Sequence, residues 1–147
     1  MRRTIQVVTT SSPEETAALG RELAARLRAP ALVLLSGDLG AGKTTLVKGL
    51  ASGLGLAEAE EVTSPSFVFV HVYGSRPRLY HVDLYRVEGV ADLESLGLED
   101  LMAEEAIVVV EWAERLKLPA LRPAMRIQIE AVSDVERRIR VEGGNDD

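Results

Sequence analysis

A short apolar run, Ala31 to Leu35, leads straight into SGDLGAGKTT, and Leu46, Val47 and Leu50 then recur at helical spacing. Such an unbroken apolar run suits a strand buried on both faces. The segment therefore sits at a strand-to-helix turn. Gly37, Gly42, Lys43 and Thr44 fill the pattern G-x-x-x-x-G-K-[ST], with Gly40 inside it. Glycines let the backbone curl so that successive N–H groups face phosphate oxygens. The helix that follows aims its dipole at the same anion. In this reading Lys43 reaches the β- and γ-phosphates, the Thr44 hydroxyl ligates Mg²⁺, and Thr45 reaches the α-phosphate. The plain alternative is a glycine-rich connection without a ligand. A chance match to four fixed positions occurs in roughly one chain in a few hundred, and the strand–loop–helix setting makes it rarer still.

The 147 residues suffice for one domain with a real core, expected over residues 1–142, with 143–147 a disordered tail. The chain is 46% hydrophobic and 27% charged, as in globular proteins, and its formal charge is −6. No basic patch is evident, which disfavours direct, strong binding to RNA or DNA. With no cysteine there is neither a disulfide nor a thiolate metal site, which fits a reducing cytoplasm. MRRTIQVVTTSSPEE lacks the apolar core of a signal peptide, and no apolar run approaches membrane-spanning length.

Thr4 to Thr9 alternates like a strand. Ser12, Pro13 and Glu15 then read as an N-cap, a first-turn proline and a capping-box acid, and Leu19, Leu23 and Leu27 mark the buried face of the helix. The second helix starts near Lys43 and ends near Gly53 and Gly55. Phe67–Tyr73 and Arg78–Tyr85 alternate around GSRP and predict a hairpin, which makes the sheet mixed. Residues 93–105 read as helical with a break near Gly97. Ala106–Trp112 is a second apolar run of parallel-strand type. AMRIQIEAV and ERRIRVE predict a last hairpin around Ser133 and Asp134. The fold class is α/β, a P-loop NTPase-like mixed sheet with a parallel core and antiparallel hairpins, flanked by helices.

A phosphate loop needs an acid to hold Mg²⁺ and arrange water. Ligands of open α/β sheets bind at the carboxyl ends of the strands. Glu111 closes the apolar run Ile107–Val110 and is the first candidate, against an ordinary strand-end acid. Asp83 is the second. It lies in a strand, where aspartate is disfavoured, on one face with His81 and Tyr85, while Val82 and Leu84 face the other way; an exposed polar face is the alternative. His71 and His81 read as strand residues on a surface face rather than as a metal set. Trp112 reads equally as core or as an edge of a nucleotide site. VTSPSF, residues 62–67, is placed to fold over the phosphates as a switch loop, or is a plain Ser-Pro turn.

GDLGAGKTTLVKG, VTSPSFVFVHVY, LYHVDLYRV, LGLEDL and VVVEWAERL occur in this order and spacing, and together they resemble the TsaE (formerly YjeE) family over nearly the whole chain. The resemblance implies a small cytoplasmic ATPase of the tRNA threonylcarbamoyladenosine pathway. It implies ATP and Mg²⁺ as cofactors and the TsaB and TsaD proteins as partners, whose complex stimulates a slow hydrolysis. TsaD would transfer the threonylcarbamoyl group, made as an adenylate by TsaC, to the adenosine next to the anticodon of tRNAs reading codons that begin with A. This chain would meet tRNA only through that complex. By position, Thr44 and Glu111 match the family's magnesium ligands, Asp83 its other acidic site residue, and Leu39, Gly40, Ala41, Gly42, Lys43 and Thr44 its phosphate loop. Its adenine end maps to Ser12–Pro13 and to Arg137. The isolated chain is expected to be monomeric. Two other functions remain open on the residues alone. One is a small-molecule P-loop kinase, against which no arginine-rich lid is visible. The other is a nucleotide-dependent binding module without hydrolysis, against which Asp83 and Glu111 stand together.

Overall fold

The computed structural model describes residues 5–37, 42–56, 60–63, 69–74, 78–83, 91–92, 105–111, 116–117 and 123–143. Among them, eight strands make one sheet. β1 (Ile5–Thr10) leads into α1 (Pro13–Ala24), β2 (Ala31–Gly37) into α2 (Lys43–Gly53), and β3 (Glu60–Thr63), β4 (Phe69–Tyr73) and β5 (Leu79–Asp83) follow. After the two-residue β6 (Ala91–Asp92) come β7 (Ile107–Glu111), the equally short β8 (Leu116–Lys117), β9 (Met125–Ala131) and β10 (Arg137–Gly143). The sheet order is β1-β10-β9-β2-β7-β5-β4-β3, and β6 pairs with β8 apart from it. Pairs β9–β2, β2–β7 and β7–β5 are parallel. The flanking pairs are antiparallel. The sheet is therefore mixed, with a parallel core, as the sequence predicts.

Burial follows pairing. In β2 and β7 the residues of both faces are buried, Val33 and Val109 on one and Leu32, Leu34, Val108 and Val110 on the other. β9 instead alternates, with Met125, Ile127 and Ile129 inside and Arg126, Gln128 and Glu130 outside. That is the signature of an antiparallel flank with one wet face. α1 and α2 pack on the inner face. Leu19, Leu23 and Leu27 are buried as expected and join Leu46, Val47 and Leu50 in the core with Val33, Leu35 and Ile127. Each such side chain contributes about 1.5–3 kcal/mol on leaving water. The two helices approach closely because glycines line the contact. A Cβ on Gly49 would lie 2.2 Å from the Ala17 carbonyl oxygen, and one on Gly20 2.4 Å from that of Leu46. This contact sets the height of α2 over the sheet, and with it the position of the helix start that the site uses.

Several boundaries differ from the sequence reading. Residues 60–63, not expected to be ordered as a strand, pair with β4. Gly143, expected to begin the tail, is instead the last residue of β10, in register with Met125, and residues 144–147 lie outside the described residues. Glu105, the expected end of a helix, is a turn residue at φ 58. The rest of the expected 93–105 helix, the GSRP turn after Gly74, and residues 64–67 of the switch segment lie outside the described residues, as do Phe67 and Val68 of the first hairpin strand and Leu84 and Tyr85 of the second.

Candidate nucleotide site

β2 ends at Gly37, whose φ of 151° brings the backbone against β9: a Cβ there would lie 2.3 Å from the Ile129 carbonyl oxygen. Only glycine fits that approach. The chain re-enters regular structure at Gly42, the N-cap of α2, at φ 105°. This again is a conformation that a side chain disfavours. No side chain caps α2, and its first turn carries no acid. The first intrahelical bond runs from Leu46 N–H to the Gly42 carbonyl. The N–H groups ahead of it are those an α-helix leaves to an external acceptor.

Lys43, first residue of α2, is buried, and its Nζ donates to the Gly37 carbonyl at 2.5 Å. The ammonium is thus folded against the strand end that opens the loop. Thr44 is exposed and Thr45 half-buried, so both lie on the open end of the helix. Leu39, Gly40 and Ala41 lie outside the described residues.

The acids come from the neighbouring strands. Leu35 of β2 is in register with Glu111 of β7, and Glu111 with Asp83 of β5. In a parallel ladder such partners share a face. Both carboxylates therefore stand at the level where β2 gives way to the loop, on the face that α2 covers. Glu111 is buried and Asp83 half-buried. Glu111 closes β7, the strand end expected of it, and Asp83, expected within a strand, is the last residue of β5 beside it.

The expectation for His81 does not. Its ring is buried, and Nε2 is hydrogen-bonded to Glu111 Oε2. Alternation correctly groups 79, 81 and 83, but it cannot tell which face the helices cover. In the centre of a parallel sheet the other face, here Tyr80 and Val82, is buried too. The missed signal was a histidine two residues before a strand aspartate, opposite an apolar run ending in glutamate. The side chain of His71, whose backbone pairs with His81, is outside what is described. Tyr73 shares this environment: burial, and then the charge of Glu111, pushes its hydroxyl above its ordinary range.

A second cluster lies along the same sheet edge. Arg137 is in register with Thr10 of β1 and with Ala131 of β9, while Ile129 pairs with Gly37. A Cβ on Gly42 would lie 4.0 Å from Arg137 Nε. Arg137 Nη1 donates to the carbonyls of Ser133 and Glu136 at 2.9 and 3.0 Å, which holds the guanidinium on the hairpin turn. Ser12 follows Thr10 by two residues and caps α1, its Oγ accepting from Glu15 N–H at 3.1 Å. Ser12, Arg137 and the start of α2 thus lie along one sheet edge, although they are far apart in the chain. Trp112 lies outside the described residues.

The donor set suits a hard cation and a phosphate chain. Thr44, Asp83 and Glu111 offer only oxygen, as Mg²⁺ requires. Among the described residues no three His, Asp or Glu side chains form a complete metal cage. Mg²⁺ in phosphate-transfer sites takes one or two carboxylates together with phosphates and water, so this set fits it. Among the described residues no helix is long and apolar enough to cross a membrane.

Known proteins match this chain over most of its length. The family model described as threonylcarbamoyl adenosine biosynthesis protein TsaE matches residues 10–139. The tRNA threonylcarbamoyladenosine biosynthesis protein TsaE of Streptomyces coelicolor is 46% identical over 127 residues, covering 83% of this chain and 84% of its own. Its namesake in Treponema pallidum is 37% identical over 130 residues, 88% and 95% of the two chains. Among solved structures, the crystal structure of YdiB from Bacillus subtilis superposes with a TM-score of 0.72 at 31% identity, over 99% of this chain and 89% of that one. A match from the last strand-one residue, Thr10, through Ile139 of β10 spans every element that builds the sheet edge described above, and on that ground the chain belongs to the TsaE family of tRNA threonylcarbamoyladenosine biosynthesis proteins.

Proposed function

We propose that the chain binds ATP with Mg²⁺ at the start of α2 and hydrolyses it slowly, as an accessory ATPase of a cytoplasmic TsaB–TsaD complex. That complex would carry out threonylcarbamoylation of the adenosine beside the anticodon, so this chain would touch tRNA only indirectly. The observation that carries the reading is the uncapped, acid-free start of α2, with Lys43 on it, at the same sheet edge as the two in-register acids Glu111 and Asp83. A helix start of that kind is complementary to phosphate, and acids at that level to a hydrated cation.

Each residue has work to do in this reading. Lys43 exchanges its Gly37 carbonyl for β- and γ-phosphate oxygens. Gly42 and the first N–H groups of α2 hold the phosphates, with Thr45 near the α-phosphate. The Thr44 hydroxyl and Glu111 would hold Mg²⁺, and Asp83 would order water beside it. When bound, Mg²⁺ would supply neutralisation of phosphate charge. Arg137 and the Ser12 turn close the base end. Ser64 and Ser66, from the segment the sequence reads as a switch loop, would act on the γ-phosphate side when a partner is bound.

The test is ATP hydrolysis by the purified chain, alone and with TsaB–TsaD. A slow rate alone that rises with partners is expected. Failure to bind ATP would sink the nucleotide assignment, and a rate indifferent to partners would remove the accessory role.

A further inference from the structure

Among the described residues, five polar or charged side chains are buried: Thr10, Thr16, Lys43, His81 and Glu111. Thr10 and Thr16 satisfy each other, Oγ1 to Oγ1 at 2.7 Å, and tie β1 to α1. Lys43 belongs to the phosphate loop. The pair His81–Glu111 remains. It sits on a strand face where Leu79, Ile107 and Val109 are core and Asp83 is half-buried. A buried polar pair in such a place is often no more stabilising than apolar residues of the same volume. Stability alone is thus a poor reason for a histidine there.

Resting on the function proposed above, we propose that His81 is a positioning residue for Glu111. Its Nε2–H holds Oε2, which leaves Oε1 as the oxygen that meets the cation or its water. A carboxylate has two rotamer-dependent oxygens, and burial without an orienting donor would let it turn away. Hydrogen-bonded outer partners of a ligating carboxylate commonly set metal affinity by about 10–100-fold. The backbone supports the same view. His81 is in register with Val109, two residues before Glu111, and so donates along the strands toward the carboxyl edge.

The test uses the full chain with ADP or ATP and with Mn²⁺ as a paramagnetic probe for the cation. In His81→Leu, half-saturation by Mn²⁺, read by electron paramagnetic resonance of the nucleotide-loaded protein, should rise about tenfold or more. Partner-stimulated kcat should fall by a similar factor. Nucleotide affinity in EDTA should stay within about twofold, because no phosphate contact is lost. His81→Gln, whose amide can donate from a similar reach, should recover most of the cation affinity, and the shorter His81→Asn should not. Should the leucine variant fail to fold, the Gln–Asn pair decides. Unchanged Mn²⁺ half-saturation in a folded His81→Leu, or equal losses in Gln and Asn that track a lowered melting temperature, would overturn the positioning role while leaving the ATPase reading intact. A wild-type chain that takes up no Mn²⁺ with nucleotide would overturn both.

Discussion

The two helices begin at the same edge of the sheet and treat their first N–H groups in opposite ways. α1 looks after its own. Ser12 Oγ accepts from Glu15 N–H, the Glu15 carboxylate accepts from Ser11 N–H at 2.7 Å, Pro13 removes one donor, and Glu14 and Glu15 offset the dipole. α2 has a glycine cap at φ 105°, no capping side chain, no acid and a lysine first. An isolated helix would start poorly that way. Here packing pays instead: Leu46, Val47 and Leu50 are fully buried, and Gly20 and Gly49 bring α1 within backbone contact. The contrast separates two roles for a helix start. One is closed by its own residues, and the other, left without a capping side chain, is held in place by contacts made elsewhere.

Deletions at matched places sharpen the contrast. The largest effect is expected opposite α2. Glu111→Ala should lower partner-stimulated turnover on the order of a hundredfold or more while ADP binding largely survives. Removing an acid at the start of α1, by Glu15→Ala, should leave the rate near wild type. Steady-state kinetics on the pair checks both, and wild-type turnover in Glu111→Ala would return that residue to an ordinary strand-end acid.

Next is Lys43→Ala, expected to weaken ATP by about 3 kcal/mol, on the order of a hundredfold, because one charge-assisted contact to the phosphates is lost. Isothermal titration measures it, and unchanged affinity in a folded variant would break the contrast at its centre. Arg137 stands between the two helix starts. Arg137→Ala should weaken ATP about five- to tenfold if the guanidinium meets the base end. A competition titration with ADP reads the same loss, and none at all would assign Arg137 to the hairpin turn alone. The smallest effect belongs to α1. Ser12→Ala removes a cap worth about 1 kcal/mol, which should lower the melting temperature by about 3 °C in a chain of this size. If Ser12 also lies against the base, a small drop in nucleotide affinity will accompany the thermal shift. A thermal shift with no change in affinity would leave Ser12 as a cap only.

Much of this was legible before any coordinates. The spacing of Gly37, Gly42, Lys43 and Thr44 places a strand-to-helix turn with an uncapped helix start, because loop curl and helix start are properties of a few consecutive residues. Leu19, Leu23 and Leu27 revealed their face for the same reason, as did the hairpin at Ser133, where the Oγ accepts from Glu136 N–H at 3.0 Å. Glu111 could be placed at a strand end because an apolar run stops there. The strand at residues 60–63 was missed, since four residues carry too little pattern to outweigh their neighbours.

Other features depended on which strands became neighbours. Arg137 is 95 positions from Gly42 in the chain, and only the order β10-β9-β2 sets it beside that glycine. Asp83 and Glu111 read as separate candidates until β5 and β7 paired in register. His81 passed for a surface residue because a period of two assigns it to a face but says nothing of what covers that face. Local chain stereochemistry decides caps, turns and the start of α2 at Gly42, because those energies are settled within a few residues. Register, burial and the partnership of His81 with Glu111 come from long-range packing, where α1 and α2 close one side of the sheet and turn an alternating strand into a buried one.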